Sequence, residues 1–325
     1  MSSILATEET KEDIQYGDNI RPESLREFVG QKKTREKLEI FIESAKSRRD
    51  NLEHILFYGP PGLGKTTLAN IIANEMGGDI KIITGPSIEK TGDLVAVLTS
   101  LKENDILFID EIHRLNRNIE EILYPAMEDF VIDITIKEPK PKTIRISLPK
   151  FTLIGATTKA GSLSKPLRDR FGILCALEYY TDDEIAAIIT RSAKIFKLDI
   201  DKESIKMLSK MCRATPRIAN RILKRVRDFA IVRNGGIINI NAVKGCIELL
   251  EINENGLDKA DIELLKTLND AFQGRPVGLE TLAYSIGEDS ETIEDMYEPY
   301  LLKQGYIART PRGRVITDKG RELLD

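Results

Sequence analysis

The sequence predicts an α/β protein: a doubly wound parallel sheet followed by two smaller, helix-rich modules. Three observations carry that expectation. Residues 59–66 spell a complete G-x-x-x-x-G-K-[ST] loop, set between an apolar run and a helical stretch. Four apolar runs, at 55–58, 80–83, 106–109 and 151–156, alternate with helical segments. Such near-continuous Ile, Leu, Val and Phe suits parallel strands buried on both faces, with ligands at their C-terminal ends. Residues 257–325 then show three helical patterns and an arginine-rich strand–turn–strand.

Taken in order, residues 1–19 are polar and acidic and read as a loosely held arm. Between Gln31 and Arg49, Leu38, Phe41, Ile42 and Ala45 fall at i, i+3, i+4 and i+7, the stripe of an amphipathic helix. Ile55-Leu56-Phe57-Tyr58 leads into the glycine-rich loop, and the stretch from Thr67 to Ala73 leaves it as helix. In that setting the glycines fold the backbone N–H groups into a nest around phosphates, and the helix N-terminus adds orphan donors. Lys65 reaches the β- and γ-phosphates, and the Thr66 hydroxyl ligates Mg²⁺. A bare glycine turn before a helix does not account for the full spacing.

The third apolar run ends in Asp110-Glu111. Asp110 stands where a carboxylate holds Mg²⁺ through water, and Glu111 where one polarises the attacking water. His113 reads as a supporting group rather than a catalyst. Between Phe130 and Pro149 the pattern becomes alternating: Ile132, Ile134 and Ile136, then Glu138-Pro139-Lys140-Pro141-Lys142, then Ile144, Ile146 and Leu148. That predicts a β-hairpin over 132–148 with a proline-stiffened basic tip, either tucked onto its own domain or offered for docking. The fourth run ends in Thr157-Thr158, hydroxyls at a strand end that can feel a γ-phosphate. Arg168 and Arg170 follow close by. They are either surface ion pairs or arginines that complete a neighbouring subunit's site, which would require a ring or filament.

After Tyr180 the strands stop. Helical patterns at 182–196, 201–210, 216–232 and 241–250 form a small helical domain, in which Pro216 opens a helix and Arg217 lies on its first turn. A polar break at Asn253-Glu254-Asn255-Gly256 reads as a linker. Patterns at about 258–272, 279–286 and 291–304 precede a strand–turn–strand carrying Arg309, Arg312 and Arg314. Three helices and a basic two-stranded wing outline a winged-helix DNA-binding domain; a solvated hairpin kept soluble by its arginines is the plainer reading. The expected boundaries are an arm at 1–19, a nucleotide-binding domain at 20–180, a helical domain at 181–253 and a winged head at 256–325.

The chain has 325 residues, 41% of them hydrophobic and 31% charged, with a net charge of −4. It is therefore a core-forming chain, and any nucleic-acid surface must be local. The N-terminus lacks the basic region of a secretory signal, and no apolar run reaches membrane-spanning length. Three widely spaced cysteines in apolar surroundings suit reduced buried thiols. These features predict a cytoplasmic location.

In this order, the phosphate loop, Asp110-Glu111, Thr158, the arginine pair and Arg217 resemble the AAA+ ATPases. Arg21-Pro22, Phe28-Val29-Gly30-Gln31, the run from Asp110 to Leu115 and the run from Leu123 to Asp129 look like the RuvB family in particular. So do Gly155-Ala156-Thr157-Thr158, the run from Arg168 to Ile173, Val277-Gly278-Leu279 and the run from Arg309 to Arg314. The resemblance spans about residues 20 to 317. It implies an ATP- and Mg²⁺-dependent DNA translocase that drives branch migration of Holliday junctions in recombination and repair. It would act as a homo-hexamer with RuvA, docked on hairpin 132–148, and with the RuvC resolvase.

By that resemblance, Ile20 and Arg21 contact the adenine end. Gly62, Gly64, Lys65, Thr66 and Thr67 hold phosphates and Mg²⁺ with Asp110, while Glu111 is catalytic. Glu128, Asp129, Phe130 and Tyr180 are nucleotide contacts, Thr158 is a first sensor and Arg217 a second. Arg170, with Arg168 as the alternative, is a finger acting in trans. Arg309 and Arg314 contact DNA, with Arg312 beside them. Two departures stand out: Ser290 occupies a position where a basic residue is expected, and Ala214 replaces the glycine expected before Thr215-Pro216-Arg217. Two other functions fit part of the pattern. A clamp-loader-type ATPase shares the nucleotide motifs, and a DNA-binding regulator could use ATP only as an assembly switch, though Glu111 speaks against a pure switch.

Overall fold

The computed structural model describes residues 4–5, 20–136 and 142–324. The chain forms two compact units, Arg21–Tyr179 and Tyr180–Asp325 with Met1–Ile20. The expected N-terminal arm lies outside the described residues apart from Ile4 and Leu5, and Leu5 is buried.

The first unit is built on a five-stranded parallel sheet. Helix α1 (Lys32–Arg48) precedes β1 (Ile55–Tyr58), and α2 (Lys65–Met76) follows it. Then come β2 (Ile80–Thr84), α3 (Thr91–Thr99), β3 (Ile106–Asp110) and α4 (Arg117–Glu128). The hairpin strands β4 (Val131–Ile136) and β5 (Lys142–Ser147) stand apart from the sheet. β6 (Thr152–Thr157), the short α5 (Lys165–Arg168) and β7 (Ile173–Ala176) complete the unit. The strand order is β2-β3-β6-β1-β7, with Phe57 level with Ala156 on one side and Cys175 on the other. β3 and β6 have buried side chains along almost their whole length, as apolar runs in a parallel sheet require.

β7 is a fifth strand that the run pattern does not anticipate. It has four residues, and Leu174 and Ala176 are exposed while Ile173 and Cys175 are buried, which is the pattern of a sheet edge. The hairpin forms as expected, with Ile132 level with Ile146 and Ile134 with Ile144. Its two readings divide along its length: Ile132 is buried in the core with Leu148, whereas Ile144 is exposed. Asp133 and Arg145 join the strands through a two-pronged ion pair at 2.8 Å. Most of the expected basic tip, residues 137–141, lies outside the described residues.

In the second unit, α6 (Asp182–Ile195), α7 (Lys202–Met211), α8 (Pro216–Arg233) and α9 (Ile240–Leu249) form the helical module. A capping box between Thr181 and Glu184 starts α6. Two-residue strands β8 (Asp199–Ile200) and β9 (Ile237–Ile238) pair in parallel. Next come α10 (Lys259–Lys266), α11 (Leu279–Ile286), α12 (Glu298–Gln304), β10 (Ile307–Thr310), β11 (Gly313–Ile316) and α13 (Asp318–Glu322).

The long helical patterns at 258–272 and 291–304 are each interrupted by a wide π turn, Thr267–Ala271 and Ile293–Tyr297. One extra residue in a turn barely disturbs apolar spacing, so both read as continuous from sequence. The expected linker at 253–256 is an ordered turn. The Asn253 side chain accepts from the N–H groups of Asn255 and Leu257, and its own N–H donates to the Leu257 carbonyl. Among the described residues no helix is long and apolar enough to cross a membrane. All three cysteines are free and buried; burial pushes Cys175 and Cys246 up to about 11 and Cys212 higher still.

Candidate functional site

The site is assembled at the C-terminal ends of β1, β3 and β6. Leaving β1, the chain turns at Gly59 (φ +140), whose N–H donates to the Thr157 carbonyl at 3.2 Å. A side chain at Gly59 would put its Cβ 2.4 Å from the Leu177 carbonyl oxygen, so only glycine lets the loop start this deep between β6 and β7. Gly62 and Gly64 hold φ of +76 and +101 and turn the loop into α2. Lys65 is buried, and its ammonium donates to the Gly59 and Pro60 carbonyls at 2.8 and 2.9 Å, inside the curve of the loop. The first turn of α2, with Thr66 and Thr67, carries N–H groups that no earlier helical carbonyl can meet.

Asp110 closes β3, and its Oδ1 accepts from the Glu111 N–H at 2.9 Å. Glu111 sits in the left-handed region at φ +49, a conformation that a residue with a side chain keeps only where its surroundings hold it. Its Oε2 lies 3.4 Å from the Thr158 hydroxyl, which donates to it, and 3.2 Å from His113 Nδ1. The same Nδ1 is 2.9 Å from Thr157 Oγ1. Burial first, and the Asp110 carboxylate second, push the Glu111 carboxyl up; the Lys65 charge and the Thr158 hydroxyl pull the other way. The upward pull makes Glu111 a better proton acceptor when ionised. His113 thus bridges the catalytic candidate and the strand-end hydroxyl, the supporting place expected for it.

These residues fit a polyphosphate with a divalent cation. Positive-φ glycines, an inward lysine and a helix start supply the anion cradle. Thr66 and Asp110 bear oxygens of the kind that would hold Mg²⁺ there. Among the described residues no group of three or more His, Cys, Asp or Glu side chains is arranged to hold a metal ion by itself.

Elsewhere in the first unit, Arg168 is exposed. Arg170 is held by its own chain: Nη2 lies 3.0 Å from Glu128, Nη1 donates to the Pro166 carbonyl at 2.7 Å, and the guanidinium lies 4.3 Å over the Tyr124 ring. Glu128 and Asp129 are exposed at the end of α4. The Phe130 ring packs edge-on against Phe151 at 5.9 Å, so the ring serves the core, while the residue's φ of +52 shapes the turn after Glu128 and Asp129. Arg21 is half-buried at the start of this unit.

The remaining candidates lie in the second unit. Tyr180 is buried, and its N–H donates to the Ala214 carbonyl at 3.1 Å. Arg217 sits half-buried on the first turn of α8. Ile20 is buried, and its carbonyl accepts from Arg191 at 2.5 Å.

In the wing, Arg309 and Arg314 face each other across β10 and β11. Like charges in that register repel, but the fully buried Glu298 carboxylate accepts from both. Arg309 reaches it at 2.9 Å through Nε, Arg314 closes on its other oxygen, and half-exposed Glu294 flanks the pair. Arg314 is mostly covered, Arg309 half-exposed, and Arg312 exposed at the tip. Glu298 carried no sequence signal beyond Glu-Pro at a helix start. Ser290 opens the short helical turn before Ile293–Tyr297.

Fold and site together define a P-loop protein of the AAA+ type that carries a winged-helix module. Three family models tile the chain. They are the Holliday junction DNA helicase RuvB P-loop domain over residues 20–177, the RuvB AAA lid domain over 180–253 and the RuvB C-terminal winged helix domain over 254–325. The chain is 58% identical over 307 residues to the Holliday junction branch migration complex subunit RuvB of Clostridium kluyveri, covering 94% of this chain and 88% of that one. It superposes on the Thermotoga maritima RuvB Holliday junction branch migration motor with a TM-score of 0.86 at 47% identity, covering 94% and 98% of the two chains. A mutant of the Thermotoga protein gives 0.88 at 48% identity with the same coverage. The chain belongs to the RuvB family.

Proposed function

We propose that this chain is the ATP-driven motor of Holliday-junction branch migration, working as a hexameric ring with RuvA on duplex DNA. The observation that carries the reading is Glu111, set at the end of β3 beside Asp110 and within reach of Thr158 and His113. A nucleotide-dependent assembly switch has no need of a hydrolytic carboxylate so placed.

In this reading Lys65 and the loop N–H groups orient the phosphates, and Thr66 and Asp110 would hold Mg²⁺, whose charge would offset that of the phosphates. Glu111 accepts a proton from the attacking water, and Thr158 reports the γ-phosphate to the same carboxylate. Arg170, steadied on Tyr124 and Glu128, completes a neighbour's site, with exposed Arg168 as the alternative. Tyr180 and Arg217 read the nucleotide from the helical module. The exposed outer part of hairpin 132–148 is the docking surface for RuvA, and RuvC joins the assembled complex. The winged head grips the phosphate backbone without regard to sequence.

The test is branch migration of a synthetic four-way junction with RuvA, comparing wild type with Glu111→Gln. The variant should still bind ATP, hydrolyse it about 10²–10⁴-fold more slowly, and leave the junction unmoved. Migration at the wild-type rate by Glu111→Gln would sink the reading.

A further inference from the structure

The turn between α7 and α8 is tied more firmly than a connection between helices requires. Arg213 and Ala214 both lie in the left-handed region, at φ +50 and +55, where side chains go only when their surroundings impose it. From this turn, bonds leave in three directions. The Thr215 carbonyl accepts from Ala219 and starts the helix that bears Arg217. The Ala214 carbonyl holds the N–H of Tyr180. The Arg213 side chain crosses to the winged-helix module.

There its Nε donates to the Gly256 carbonyl at 2.9 Å, and its Nη2 bonds the Asp261 carboxylate and approaches Asp258 at 3.8 Å. Its guanidinium lies 5.2 Å over the Tyr300 ring, and the Tyr300 hydroxyl donates to the Asn255 carbonyl at 2.8 Å. Asp258 and Asp261 also form the capping box that starts α10. Gly256, at φ +70, packs so closely that a Cβ there would stand 2.7 Å from the Met211 carbonyl at the end of α7. Burial holds the Lys303 ammonium of α12 below its ordinary range, and the charge of Asp182 on α6 pulls weakly the other way.

Stability alone does not account for this arrangement. Asp261 is fully buried with an Oδ1 that has no hydrogen-bond partner, and burial pushes its carboxyl up to about 7 against the pull of Arg213. Well-packed apolar residues of the same volume hold two modules together at least as well as a buried ion pair. What the forked guanidinium adds is a fixed orientation.

We infer that Arg213 is a positioning residue, a latch that makes the helical module and the winged head turn as one body. A change in the attitude of α8 then reaches the wing undiminished. The inference rests on the functional reading above, in which Tyr180 and Arg217 sense the nucleotide.

Hydrogen–deuterium exchange on the full chain, without DNA, tests it. Adding a slowly hydrolysed ATP analogue should slow exchange in Leu257–Lys266 of wild type about fivefold. The volume-conserving double variant Arg213→Met with Asp261→Leu should lose that response, while α2 (Lys65–Met76) still becomes protected. Arg213→Lys, which keeps the charge without the fork, is a milder variant and should show a reduced response. No response in the wild-type head, or a full response in either variant, overturns the latch. The functional reading is judged separately by whether DNA stimulates the wild-type ATPase; its failure would leave the exchange result standing.

Discussion

His54 shows how much one side chain can brace. Its Nδ1 accepts from the Leu153 N–H at 2.8 Å, so Nε2 carries the proton and donates to the Met127 carbonyl at 2.9 Å. One buried ring thus ties β6 to the last turn of α4, just before Glu128 and Asp129. Burial holds it below its ordinary 6.5, with the Met127 carbonyl pulling less strongly upward. The unfolded chain takes a proton near pH 6.5 and the native ring does not. The stability contributed by the neutral ring is therefore complete above that pH and is lost as pH falls below it, by at most about 1.4 kcal/mol per pH unit. Thermal melts at about pH 7.5 and about pH 5.5 should show wild type losing more stability toward acid than His54→Gln. Equal losses would exclude the neutral strut. Nothing in the sequence marks His54, because its partners are backbone groups 73 and 99 residues away. Lys65, Asp110 and Glu111 were legible because loop spacing and strand-end position announce them. The His113 bridge was only half legible, since its link to Thr157 depends on two strands coming side by side.

At the scale of elements, the wing is the clearest case of a pattern that sequence describes and structure explains. Three arginines near a turn suggest a DNA contact, and the register of β10 and β11 puts two of them opposite each other. Glu298, buried at the start of α12, makes that tolerable and fixes the wing to the helix. Glu298→Gln would leave the two guanidinium groups facing each other without their anion. Removing one partner of a buried pair should cost about 3 kcal/mol in a urea titration, and DNA affinity should fall although the chain gains positive charge. If the variant bound DNA more tightly, Glu298 would be a competitor for the arginines rather than their anchor. The strands of the sheet were readable from apolar runs; β7 was not, because a four-residue edge strand with alternate burial has too few residues to show a period. The π turns were hidden for the opposite reason: the apolar stripe continues through them.

For the whole molecule, a net charge of −4 means that duplex DNA is drawn only by local patches. Binding should weaken steeply with salt, and Arg312→Ala should lower the slope of log affinity against log salt by about one, the share of a single phosphate contact. Anisotropy titrations across a range of KCl concentrations measure it directly; an unchanged slope would remove Arg312 from the contact set. The sequence of modules was readable along the chain because each has its own periodicity. The joint between the helical module and the head was not: Asn253–Gly256 has the composition of a linker, and the packing of Gly256 on Met211 with the bonds from Arg213 and Tyr300 makes it a fixed corner.

The three buried thiols have a practical consequence. Thiolate, the form that attacks maleimides, is scarce at Cys175, Cys212 and Cys246, and none of them faces solvent. A cysteine introduced on the surface of the wing or of α8 would therefore react far ahead of the native three. Dyes can be attached one at a time without first stripping the chain of its own sulfur, and the separation of head and helical module can be followed by energy transfer.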